Sequence, residues 1–168
     1  MESVLVSACL LGERVRYNGG DKRCNNPILQ RWLQEGRVMP VCPEVLGGLP
    51  VPRLPAEIAG GAGGTEVLRE TARVMDMAGV DVSAQFQQGA GQALRLAHSR
   101  RIHIAIMKEG SPSCGTGYTY NGSFTGIKVP LPGVTAACLR EAGIQVFSEA
   151  QLQEADDLLK QLEAEQTG

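Results

Sequence analysis

The chain has 168 residues, a length that fits one domain and can bury a substantial core. Sixteen basic and eighteen acidic residues leave a formal charge of −2, which argues against a surface built to hold long nucleic acid. Twenty-one glycines and only 4% aromatic residues point to an aliphatic core and to backbone held close in turns. The first residues lack the basic leader of a secretory signal, and no apolar run approaches the ~18 residues of a membrane span. Five cysteines in such a chain point to the reducing cytoplasm, where thiols more often bind metal or react than form disulfides.

Residues 4–8 read as a short buried strand that runs into Cys9. A polar loop over 12–25 leads to a helix over 27–36. Pro27 sits in its first turn, Asn25 or Asn26 caps it, Gly36 ends it, and Ile28, Leu29, Trp32 and Leu33 share one face. Residues 37–41 predict a second strand, weakened by Pro40, followed at once by Cys42, Pro43, Glu44 and a Gly/Pro-rich loop. Residues 56–80 predict a small hairpin with the glycine-rich run 60–64 at its tip. No strand leads into that run and no Gly-Lys-Ser or Gly-Lys-Thr closes it, so it reads as a turn rather than a phosphate loop.

The helix over 81–100 gives the clearest signal. Asp81 or Ser83 caps it, and Val82, Phe86, Ala90, Ala93, Leu94 and Ala97 mark its apolar face. Gly89 and Gly91 weaken it and suit close packing. A third strand over 102–107 precedes a loop over 108–117 that contains Ser-Pro-Ser-Cys-Gly, and Asn121-Gly122 is a hairpin turn. A helix over 133–142 leads to a fourth strand over 144–147. Ser148 and Gln151 then form a capping box for a final helix whose stripe is Leu152, Ala155, Leu158, Leu159 and Leu162.

Strands alternating with helices predict an α/β fold of Rossmann-like kind: one domain over 1–168, a mostly parallel sheet flanked by helices, with small hairpin excursions. Such sheets bind ligands beyond the carboxyl ends of their strands. Cys9, Cys42 and Cys114 each fall just past such an end, so the topology gathers three remote thiols on one edge. Cys138, beside Ala136, Ala137 and Leu139 in a predicted helix, reads as core, and Cys24 lies in a polar loop. There is no Cys-x-x-Cys and no close-spaced zinc signature, and His98 and His103 read as structural. Three thiolates without histidine suit a soft metal centre. Iron–sulfur clusters are held mostly by thiolates, and a 4Fe-4S cluster on three of them leaves one iron open as a Lewis acid. Small buried thiols with no chemistry are the plain alternative.

The segments 7–12 (Ser-Ala-Cys-Leu-Leu-Gly), 15–19 (Val-Arg-Tyr-Asn-Gly), 41–53 (Val-Cys-Pro-Glu-Val-Leu-Gly-Gly-Leu-Pro-Val-Pro-Arg) and 108–115 (Lys-Glu-Gly-Ser-Pro-Ser-Cys-Gly) together resemble the thiouracil desulfurase family. That family was formerly a domain of unknown function. The resemblance covers nearly the whole chain. It implies a 4Fe-4S cluster on Cys9, Cys42 and Cys114 with the fourth iron free. It also implies non-redox removal of sulfur, as hydrogen sulfide, from thiolated uracil compounds: 2- or 4-thiouracil, thiouridine, or 4-thiouridine monophosphate from transfer-RNA breakdown.

With that resemblance, Glu44 is the candidate base that activates water. Ser111 and Ser113 flank Cys114 and can orient substrate or hydrogen-bond cluster sulfurs. Lys108 leaves the third strand toward the same edge and can steady developing negative charge. Arg16, Asn18 and Lys22, in the loop after Cys9, are candidates for a nucleotide phosphate, and Cys24 for a temporary fourth ligand. The expected partner is a small thiolated pyrimidine or nucleotide, not a membrane. The alternatives are a cluster-dependent dehydratase or lyase, and a non-enzymatic metal or sulfur carrier.

Overall fold

A computed structural model describes residues 1–167. The chain opens with β1 (Val4–Ser7), wholly buried, and a 3-10 turn (Ala8–Leu11) closed by Gly12 at φ 91°. α1 (Pro27–Gln34) is capped by Asn26, whose Oδ1 accepts the Ile28 N–H at 2.8 Å. Gly36, at φ 72°, turns the chain into β2 (Val38–Val41). The single-turn helix α2 (Pro43–Leu46) follows, with Cys42 at its cap position. β3 (Ala56–Ile58), α3 (Gly64–Leu68) and β4 (Val74–Asp76) come next, then α4 (Ser83–Ser99) and β5 (Ile104–Met107). The chain ends with β6 (Thr119–Tyr120), β7 (Lys128–Val129), α5 (Val134–Glu141), β8 (Gln145–Ser148) and α6 (Leu152–Thr167).

The main sheet is parallel throughout, in the order β2-β1-β5-β8. Val4 stands opposite both Val38 and Ile104, so the strands end on the same edge. Successive side chains of a strand face opposite layers. Leu5, Ala105 and Met107 therefore pack with Ala93, Ala97 and Leu139 of α4 and α5. Val4, Val6, Ile104 and Ile106 pack with Trp32 of α1 and with Leu152, Ala155 and Leu159 of α6. Burial on both faces explains why β1 and β5 read as continuous apolar runs. Buried Asp156 pins α6 to α1, accepting from Trp32 Nε1 at 3.1 Å and pairing with Arg31 and Lys160. Among the described residues no helix is long and apolar enough to cross a membrane.

Several local expectations change. β3 and β4 pair antiparallel, as the hairpin reading requires, but the glycine-rich run is not their tip. Its last residue opens α3, because Gly64 docks on the start of α5, where a Cβ would lie 2.1 Å from the Gly133 carbonyl oxygen. Leu33 is 42% exposed, so the inner face of α1 is built on Leu29 and Trp32. Val82 occupies the cap position of α4, while Asp81 Oδ1 accepts the Ser83 N–H at 2.9 Å. His103 lies just outside β5 and bonds Glu2 at 2.9 Å. Ser148 and Gln151 form their capping box around a 3-10 turn (Glu149–Gln151) that leads into α6.

The two glycines of α4 separate in role. A Cβ on Gly89 would stand 2.0 Å from the Pro43 carbonyl oxygen, and one on Gly47 1.9 Å from that of Gln85. α2 and α4 thus touch backbone to backbone. A Cβ on Gly91 would meet nothing within 4 Å. Gly89→Ala is expected to lower stability by ~1–3 kcal/mol through overpacking. Gly91→Ala is expected to leave stability unchanged or raise it by up to ~1 kcal/mol. Urea unfolding of the two variants checks the contrast, and equal effects would contradict the backbone contact.

Candidate active site

A cavity of about 390 Å³ opens beyond the carboxyl ends of β1, β2 and β5. Cys9 reaches it from the turn after β1, Cys42 from the junction of β2 with α2, and Cys114 from the turn after β5. Cys9 and Cys114 are buried and Cys42 is half-buried. Among the described residues no three His, Cys, Asp or Glu side chains come together as ligands of a single metal ion. The three thiols share a chamber rather than one ion-sized point. Cys24 packs beside α1 and α6, and Cys138 points at the Ala90 carbonyl of α4, so neither lines the cavity.

Burial pushes the Cys9 thiol up to about 11, with Cys42 adding to it and Arg16 and Lys108 opposing. Burial raises Cys42 as well, and lifts Cys114 well above the usual thiol range against a hydrogen bond from the Ser7 side chain. Without a positive centre these groups stay protonated.

The turn that carries Cys114 is braced from two sides. Ser111 Oγ accepts the N–H groups of Ser113 (3.0 Å) and Cys114 (2.9 Å). The Glu109 carboxylate accepts from the N–H groups of Thr116 (2.6 Å) and Gly117 (2.9 Å) and from the Thr116 hydroxyl (2.6 Å). Burial alone would raise Glu109, but these donors hold it below the usual carboxylate range. Ser111 lines the cavity; Ser113 does not. Buried Ser113 instead hydrogen-bonds Thr135 at 2.7 Å, which ties the turn to α5. That is a structural role, different from the one its place beside Cys114 suggested.

Glu44 stands in the first turn of α2 and faces the cavity. Arg53 approaches one of its oxygens, Oε1, with Nη2 at 3.2 Å and Nε at 3.3 Å. The same guanidinium donates to the Pro50 and Val15 carbonyls, each at 3.1 Å. Burial raises the Glu44 carboxyl, and Arg53 and Ser111 pull it back. Lys108 pairs with Glu149 at 2.9 Å at the cavity wall. Arg16 and Lys22 also line the wall, whereas Asn18 does not; its Oδ1 accepts the Gly20 N–H at 2.9 Å.

Sequence reasoning missed Arg53, Ser7, Glu109 and the tyrosines of the wall. Arg53 lies in the same motif as Glu44, but nothing in their spacing announces the pair, which a loop folding back creates.

Fold and site together define a parallel-sheet α/β protein with a thiol-lined chamber at its strand ends. The chain belongs to the 2-thiouracil desulfurase family, whose model matches residues 4–151. It is 43% identical over 149 residues to the uncharacterized protein YbbK of Bacillus subtilis (strain 168), covering 89% of this chain and 97% of that one. It also matches the solved structure of a 4Fe-4S-dependent thiouracil desulfidase, TudS, with a TM-score of 0.87 and 47% identity. That match covers 95% of this chain and 99% of the other.

The elevated thiols give a pH prediction for the metal-free protein. Alkylation of Cys9 by iodoacetamide, followed by mass spectrometry, should rise about tenfold per pH unit. It should level off only near pH 11, because the folded thiol stays protonated below about 11. A plateau at the ordinary thiol value would show that burial does not control this group.

Proposed function

We propose that the protein is a desulfidase of thiolated uracil compounds, working around a 4Fe-4S cluster held by Cys9, Cys42 and Cys114. The observation that carries this reading is the cavity: three thiols on three parallel strand ends share one space with the Glu44–Arg53 pair. The donor set suits the group. It is soft, it includes no histidine and no fourth cysteine in the wall, and its thiols need a positive centre to ionise. The 4Fe-4S dependence of the TudS relative supports the same assignment. With three protein ligands, one iron is left to act as a Lewis acid toward the soft thiocarbonyl sulfur.

The chain's own groups do the rest. Glu44, held through one oxygen by Arg53, takes the proton of the water that adds to the ring carbon. A thiocarbonyl and water become a carbonyl and hydrogen sulfide, with no change in oxidation state. Lys108, fixed by Glu149, and Arg16 offset negative charge beside Cys9. Arg16 and Lys22 on the wall favour a substrate that carries a phosphate, such as a thiouridine monophosphate. The cavity volume lies within the ~300–1,000 Å³ of sites for such ligands.

After anaerobic reconstitution the protein should hold about four irons and four acid-labile sulfides per chain. It should release sulfide from 4-thiouracil or 4-thiouridine monophosphate. Alanine at Cys9, Cys42 or Cys114 should lower the iron content, whereas alanine at Cys24 or Cys138 should not. Glu44→Gln should keep the iron and lose about a hundred- to ten-thousand-fold in sulfide release. Full sulfide release by Glu44→Gln would remove Glu44 as the base, a cluster-loaded parent that releases no sulfide would favour a carrier role, and water loss from hydroxy acids without sulfide release would favour the dehydratase.

A further inference from the structure

The chain has three tyrosines, Tyr17, Tyr118 and Tyr120, and all three line the one cavity. Only 4% of its residues are aromatic, and its tryptophan and Phe86 are sealed in the core. Partly exposed rings gathered in a chamber keep apolar surface in contact with water until something flat covers them.

Two of these rings are held on a short, braced element. Tyr118, just before β6, and Tyr120 at its end flank buried Thr119, and both line the cavity. Their centroids are 5.9 Å apart with the planes at 85°. Lys128 of β7 sits 4.3 Å from the Tyr118 centroid. Gly110, at φ 85°, brings backbone against the same ring; a Cβ there would stand 3.1 Å from it. The turn that joins β6 to β7 is docked as well. Glu57 Oε1 accepts the N–H groups of Gly122 (2.9 Å) and Phe124 (3.2 Å), and a Cβ on Gly122 would meet the Ile58 carbonyl oxygen at 2.7 Å. The Asn-Gly hairpin is therefore a rigid wall of the site.

We propose that Tyr118 and Tyr120, set almost at a right angle, form a cornered platform in which the substrate's pyrimidine ring stacks on one tyrosine and abuts the other, making the β6–β7 hairpin and the residue before it the base-recognition element of the cavity. The proposal rests on the thiolated-pyrimidine reading above and adds how the ring is held. Stacking accepts any planar heteroaromatic ring and discriminates against open-chain thioureas and thioamides, whose sulfur is equally soft. The platform thus confines a thiophilic centre to cyclic substrates.

The test is calorimetric binding of the sulfur-free products, uracil and uridine monophosphate, to the reconstituted protein. Iron content is measured on every variant. Tyr118→Leu and Tyr120→Leu should both keep the iron, and the variant that loses the stacked face should weaken product binding about 5- to 100-fold, the range for loss of one base–aromatic stack. The two phenylalanine variants should bind within about threefold of the parent, since the ring and not the hydroxyl does the work. Unchanged binding in both leucine variants would overturn the platform, and so would phenylalanine variants as weak as the leucine ones. The desulfidase reading stands or falls separately, on sulfide release by the parent protein.

Discussion

β1 pairs in parallel with β2 on one side and β5 on the other, and this double pairing makes neighbours of cysteines scattered through the sequence. Cys9 and Cys42 follow β1 and β2 almost at once, and Cys114 returns to the same edge through a longer turn. An antiparallel partner would send one thiol to the opposite end of the sheet. The register is held by apolar residues on both faces, because a one-residue slip would exchange the layers that Leu5 and Val6 pack against.

On that edge the structure tolerates arrangements that do not favour stability by themselves. Glu44 and Arg53 form a largely buried ion pair, whose desolvation offsets much of its attraction. Arg53 compensates by also satisfying two carbonyls, and the backbone contact of α2 with α4 keeps the first turn of α2 in place. Raised thiols and a raised carboxyl in one chamber are a poised arrangement rather than a relaxed one. The apolar layers on either side of the sheet, closed by the Asp156 cluster, supply the rigidity that holds it.

Much of this was legible in the sequence because the signals were local. The four main strands, the Asn26 cap and the Ser148–Gln151 box follow from patterns a few residues long. Once the strands were placed, the convergence of Cys9, Cys42 and Cys114 followed from topology, whereas Glu44, Ser111 and Lys108 were singled out through the family resemblance of their segments, and all six line the one chamber. What escaped depends on contacts between distant segments. The run 60–64 reads as a turn until α5 is there to receive Gly64. Ser113 and Asn18 look like site residues by position, but Thr135 and the Gly20 amide take their side chains. The shared destination of the three tyrosines exists only after the hairpin has docked on Glu57.

The central position of β1 also sets an order of assembly. Ribosomes make Cys9 and Cys42 early, but β5 and the turn bearing Cys114 emerge only after the 17-residue helix α4. Until β5 pairs with β1, the nascent chain has two thiols on a sheet with one exposed flank and no closed chamber. A centre that binds all three thiols would therefore tie the late strand β5 to the early strands β1 and β2, linking segments made far apart in time across the middle of the sheet.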